Sequence, residues 1–110
     1  MAYSLKVFDR EYLLEHYYNY DLADIVGQLL RQSVSREGLQ CLFVDEQQQH
    51  FGVQQLVPYV PDEIERIEII DRGTMVRIYT RRYIQRMLGG ENPGAIMLLK
   101  AIGFGKTICK

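Results

Sequence analysis

Residues 64–80, IERIEIIDRGTMVRIYT, constrain the fold more than any other stretch of this chain. Two runs rich in isoleucine, valine and tyrosine flank Asp71, Arg72, Gly73 and Thr74. Gly73 can take the positive φ that a tight hairpin turn demands. Pairing Ile70 with Met75 sets Ile69 opposite Val76 and Ile67 opposite Ile78 on one face. The other face then holds Glu68 opposite Arg77 and Arg66 opposite Tyr79. A slip of one residue scatters the apolar set over both faces, so the burial of one face selects this register.

An apolar hairpin face needs a cover, and the N-terminal part supplies two helical patterns. Asp9 reads as an N-cap for a helix running to about Asn19, with Leu13, Leu14, Tyr17 and Tyr18 on one side. Asp21 can cap a second helix, in which Leu22, Ile25, Val26, Leu29, Leu30 and Val34 recur at helical spacing. Gly38 suits the C′ position of that helix. Gly27 inside it costs about 1 kcal/mol against alanine, which suggests a close approach there.

Residues 3–8, YSLKVF, alternate weakly and predict a short strand or an extended arm. LQCLFVD at 39–45 reads as a central strand, and EQQQHFG at 46–52 as a loop or strand end. VQQLVPYV at 53–60 reads as another strand, confined to an edge or a bend by Pro58 and Pro61. After Thr80 the period becomes helical, with Tyr83, Ile84, Met87 and Leu88 in a stripe that Gly89 and Gly90 stop. Asn92 and Pro93 can start a last helix containing the apolar AIMLLKAIGF. The expected class is α+β. Two N-terminal helices pack on a small, mainly antiparallel sheet of about four strands, including the 64–80 hairpin, and C-terminal helices follow.

The chain of 110 residues predicts a single domain over 1–110. Its apolar fraction of 47% and charged fraction of 25% are those of a globular chain and argue against disorder. No run of about 18 apolar residues exists, so no membrane span is expected. Acidic residues in MAYSLKVFDREY precede any apolar leader core, so no signal peptide is expected either. Cys41, in an apolar run, reads as a buried thiol far in sequence from Cys109; with no export signal expected, a cytoplasmic chain with reduced thiols is the expectation.

The net charge of −1 conceals a division. Residues 1–71 hold thirteen acids and five bases, a formal −8, whereas 72–110 hold one acid and eight bases, a formal +7. Such asymmetry points to nucleic acid, or to acid–base matching within or between copies.

The basic half is densest in RIYTRRYIQR at 77–86. Arg77, Arg81, Arg82 and Arg86 can grip phosphates while Tyr79 offers a ring to a base. The opposed reading is a solvated face neutralised by the acidic half, with Arg77 already answered by Glu68. A second candidate is a pocket lined by His16, Tyr17, Tyr18 and Asp24, where helices lie over the sheet.

Other motifs fail on spacing. GFGKT at 103–107 resembles the end of a phosphate loop, but Lys100 stands where that loop needs its first glycine. His16 and His50 are the only histidines, without ligand spacing for zinc, so no metal, cofactor or catalytic residue is expected. The largely apolar last helix and the charge division together predict a homo-oligomer. The functional expectation is a small binding or assembly module without catalytic activity. Nucleic-acid binding through the basic segment is the first alternative. A small-ligand protein or enzyme using the tyrosine- and histidine-lined pocket is the second.

Overall fold

A computed structural model describes residues 5–32, 39–50 and 52–87. In chain order these form β1 (Leu5–Asp9), α1 (Arg10–Tyr17), α2 (Leu22–Arg31), β2 (Cys41–Val44), β3 (Gln47–Gln48), β4 (Ile64–Ile70), β5 (Met75–Thr80) and α3 (Arg81–Met87). Short 3₁₀ turns occupy Val53–Leu56, Pro61–Glu63 and Asp71–Gly73. The expected helix end at Val34 and Gly38, the stripe beyond Met87, the last helix and the GFGKT tail lie outside the described residues.

The sheet is mixed and has five strands in the order β1-β4-β5-β2-β3, one more than expected. β1 pairs antiparallel with β4, β4 with β5, and β2 with β3, while β2 runs parallel to β5. The hairpin takes the predicted register, with Ile70 on Met75, Ile69 on Val76, Ile67 on Ile78, Glu68 on Arg77 and Arg66 on Tyr79. The turn bends through Arg72 at φ 59° and Gly73 at φ 97°. An irregularity between Ile64 and Arg66 shifts the register at the far end of the hairpin.

The helix caps follow local chemistry. The Asp9 carboxylate accepts from the Tyr12 N–H at 2.9 Å, and the Asp21 carboxylate accepts from the Asp24 N–H at 2.8 Å. Helix α1 buries Leu13 and Tyr17, and α2 buries Leu22, Ile25, Val26 and Leu29. These side chains form one core with Leu56 of the Val53–Leu56 turn and with Leu42, Val44, Ile67, Ile69, Val76 and Ile78 on the apolar face of the sheet.

Three expectations are corrected. Residues 53–56 form a 3₁₀ turn rather than a strand. Gly52 enters it at φ 83°, and Pro58 and Pro61 cannot donate ladder bonds nearby. Gly27 lies in no close approach, because a Cβ built on it meets nothing within 4 Å. Cys41 is disulfide-bonded, not a free thiol. The chain's other cysteine, Cys109, lies outside the described residues. Sequence separation says nothing about such a bond; only folding can bring two sulfurs within bonding reach. Among the described residues, no helix is long and apolar enough to cross a membrane.

Candidate functional site at the junction of β5 and α3

The second face of the sheet is polar yet buried. Strand alternation points Arg66 and Glu68 of β4 and Arg77 and Tyr79 of β5 away from the helical core. Arg66 and Tyr79 are each 1% exposed, and Glu68 is fully buried. Arg66 Nε donates to Glu68 Oε2 at 2.6 Å. Arg77 Nη2 lies 2.7 Å from Glu68 Oε1, an ion pair by distance without an aligned hydrogen bond on that oxygen. A carboxylate between two guanidiniums offsets the desolvation that burial imposes on all three. For Arg77 and Tyr79 the solvated face gives way to a largely buried polar network, and the predicted pairing of Arg77 with Glu68 holds.

Tyr79 extends this network to the tight turn between β2 and β3. Its hydroxyl donates to Glu46 Oε1 at 2.6 Å. Burial first, and the Glu46 carboxylate second, push its phenol well above the ordinary range, so it stays protonated. Tyr83 on α3 stacks on Tyr79 with ring centroids 6.2 Å apart, and burial with the charges of Glu46 and Asp45 raises its phenol too.

The β2–β3 turn consists of Asp45 and Glu46, at φ 52° and 70°. Two consecutive left-handed residues suit a two-residue hairpin, but asparagine and glycine are the usual occupants. For residues with a Cβ this conformation costs on the order of 1–2 kcal/mol each, asparagine and aspartate least. Three fixed contacts hold it. The Asp45 N–H donates to Ile78 O at 2.8 Å. Asp45 Oδ1 accepts from the Thr80 N–H at 2.8 Å, and Asp45 Oδ2 accepts from Thr80 Oγ1 at 2.7 Å. Thr80 Oγ1 in turn accepts from the Tyr83 N–H at 3.2 Å, the bond of an N-cap.

Beside this lock opens a cleft of about 360 Å³. Asp45, Asp62 and Glu63 bring carboxylates to it, Arg81 and Arg82 bring guanidiniums, and Tyr59 and Thr80 complete the lining. The Pro61–Glu63 turn sets the acidic wall, where Glu63 accepts from the Val60 N–H at 3.1 Å and Asp62 pairs with Arg10. Arg81 Nη1 stands 4.0 Å from Asp62 Oδ1, across the cleft. Acids thus surround the first turn of α3, where the helix dipole disfavours Arg81 and Arg82.

The residues singled out from sequence are dispersed. Arg77 and Tyr79 face inward, which leaves Arg81, Arg82 and Arg86 of that group at the surface, Arg82 and Arg86 exposed on one side of α3. His16 lies tilted against Tyr12 with ring centroids 4.2 Å apart, and buried Tyr17 meets Tyr20 edge-on at 5.8 Å. Tyr18 is 71% exposed, Asp24 is exposed at the start of α2, and none of these four lines the cleft.

Sequence reasoning missed Asp45, Glu46, Tyr59, Asp62, Glu63 and Thr80. One signal was available: two acids between an apolar run and a glutamine-rich run mark a two-residue turn. Among the described residues, no group of three or more His, Cys, Asp or Glu is placed to hold a metal ion. No protein-family model, curated protein or solved structure matches the chain.

Proposed function

We propose that the chain is a small binding and assembly module without catalytic activity, whose ligand seat is the cleft beside the β5–α3 junction. The supporting observation is the strained turn at Asp45 and Glu46. Two residues with side chains are held left-handed, and their carboxylates fix Thr80 and Tyr79 in place. Strain of this kind persists where the surroundings over-determine it, and it concentrates at sites that need a preset shape. Here the preset shape is a cleft with an acidic wall and a basic wall.

Such a cleft suits a small zwitterion, an amino acid or short peptide whose carboxylate faces Arg81 and whose ammonium faces Glu63. The ionisable groups of the hairpin's charged face serve as structure: Glu68 is held between arginines, and Tyr79 is held as a neutral donor. The disulfide at Cys41 weighs against the expected cytoplasmic location, because such bonds are rare where thiols are kept reduced.

The test is a thermal-shift screen of amino acids and dipeptides against the wild type, Arg81→Ala and Glu63→Gln. A binder raises the melting temperature in a concentration-dependent way, and both variants lose that rise. No stabilisation by any zwitterion, or a rise that both variants keep, overturns the cleft as the seat.

Nucleic-acid binding retains one favourable observation, the exposed pair Arg82 and Arg86. A gel-shift series in rising salt measures it, with steep salt dependence as the signature.

A further inference from the structure

We propose that the exposed faces of α1 and α3 are the two halves of a self-assembly contact, with α1 of one copy lying antiparallel on α3 of a second copy. The inference rests on the assembly role just proposed, takes the assembling partner to be a second copy of this chain, and names the surface.

Both helices carry a pair of like charges one turn apart on an exposed side. On α1 these are Glu11 and Glu15, and on α3 they are Arg82 and Arg86. Like charges four residues apart repel within a helix, so each pair gains from a partner of opposite sign. The spacing is identical, about 6 Å along each axis at 1.5 Å per residue. An antiparallel approach therefore sets Glu11 against Arg86 and Glu15 against Arg82 of the second copy. It also opposes the directions of the two helix dipoles.

Among the described residues, none of these four side chains stands in an ion pair; pairs lie elsewhere, as with Arg66 and Arg77 on Glu68 and Arg10 and Arg81 on Asp62. An apolar neighbour adjoins each charged face, Tyr18 at 71% exposed one turn past Glu15 and Met87 at 57% exposed after Arg86. A second copy is the occupant because one chain carries both complementary faces. A two-fold dimer uses the contact twice, since where α1 meets α3 of the partner, α3 meets α1 of the partner in return.

The experiment is a charge exchange read by light scattering and sedimentation at micromolar concentration. Glu11→Arg/Glu15→Arg makes both faces basic, and Arg82→Glu/Arg86→Glu makes both acidic. Each reversed protein alone is expected to lose association by at least about tenfold in dissociation constant, because like charges now meet. Mixed in equal amounts, the two are expected to associate with each other, since every contact then pairs opposite signs. Circular dichroism establishes that each is folded. Should a reversed protein fail to fold, the neutral pair Glu15→Gln and Arg86→Gln is expected to weaken association and its salt dependence.

A wild type that remains monomeric overturns both this contact and the self-association it rests on. A wild type that associates, with reversed proteins that associate equally well alone, overturns only the contact. A monomer that binds nucleic acid through Arg82 and Arg86 assigns that face to phosphate instead. Arg82 lines the cleft as well, so the two readings are separated by Arg81→Ala and Glu63→Gln, which alter the seat outside the contact residues and are expected to leave association unchanged.

Discussion

Glu68 has no exposed surface and sits between Arg66 and Arg77. Its worth lies less in net stability than in what its absence would leave, because buried pairs roughly offset their own desolvation while a stranded charge does not. Tyr79 belongs to the same face but carries its burden as a neutral group. Its phenol is raised by burial and by Glu46, so the folded chain keeps that proton after the unfolded chain has released it. The stabilisation is full below the ordinary phenol range near about pH 10 and declines as pH rises above it. Urea unfolding from pH 8 to above about pH 10 is therefore expected to show falling stability in the wild type and a shallower fall in Tyr79→Phe. Equal slopes in the two proteins would refute the assignment. Tyr83, raised by burial and the same acids, leaves the variant a residual slope.

At the scale of elements, what was readable was whatever rests on local periodicity and caps. Asp9 and Asp21 cap the helices predicted from their apolar stripes, and the 64–80 hairpin takes the register chosen by its apolar face. The 53–60 segment was misread because its apolar alternation resembles a strand while Gly52, Pro58 and Pro61 bend it into a 3₁₀ turn. Gly27 shows the limit of composition: it costs helix stability although a Cβ there would meet nothing within 4 Å. Gly27→Ala is accordingly expected to stabilise the fold by about 0.5–1 kcal/mol, through helix propensity and a less flexible unfolded chain. A higher urea midpoint at unchanged slope is the measure, and a loss of stability would mean that Gly27 is crowded after all. The candidate site was the least legible element, since its strained turn reads in sequence as an ordinary polar loop.

For the whole molecule, the decisive facts are strand order and edges. Among the described residues, β4 and β5 are interior strands, while the edges are β1, which carries exposed Lys6, and the two-residue β3. Short and lysine-bearing edges discourage pairing with other chains. A chain beginning at Asp9 keeps the α1 cap but uncovers the edge of β4, whose residues are mostly buried. It is expected to pass into aggregates, measured as the soluble fraction after expression and by light scattering. A soluble, equally stable product would show that β1 is dispensable.

The sequence by itself determined the two capped helices, the hairpin and its register, and the division of charge between the halves. Each of these follows from periodicity, capping and turn chemistry within about twenty residues of chain, where local rules operate. Only the tertiary structure decided that β2 lies parallel beside β5 and that the charged face of the hairpin is buried. It likewise decided that Asp45 and Glu46 reach Thr80 and Tyr79. These contacts join residues more than thirty positions apart. No local pattern encodes them, because burial and pairing across the sheet select them only once the chain has closed.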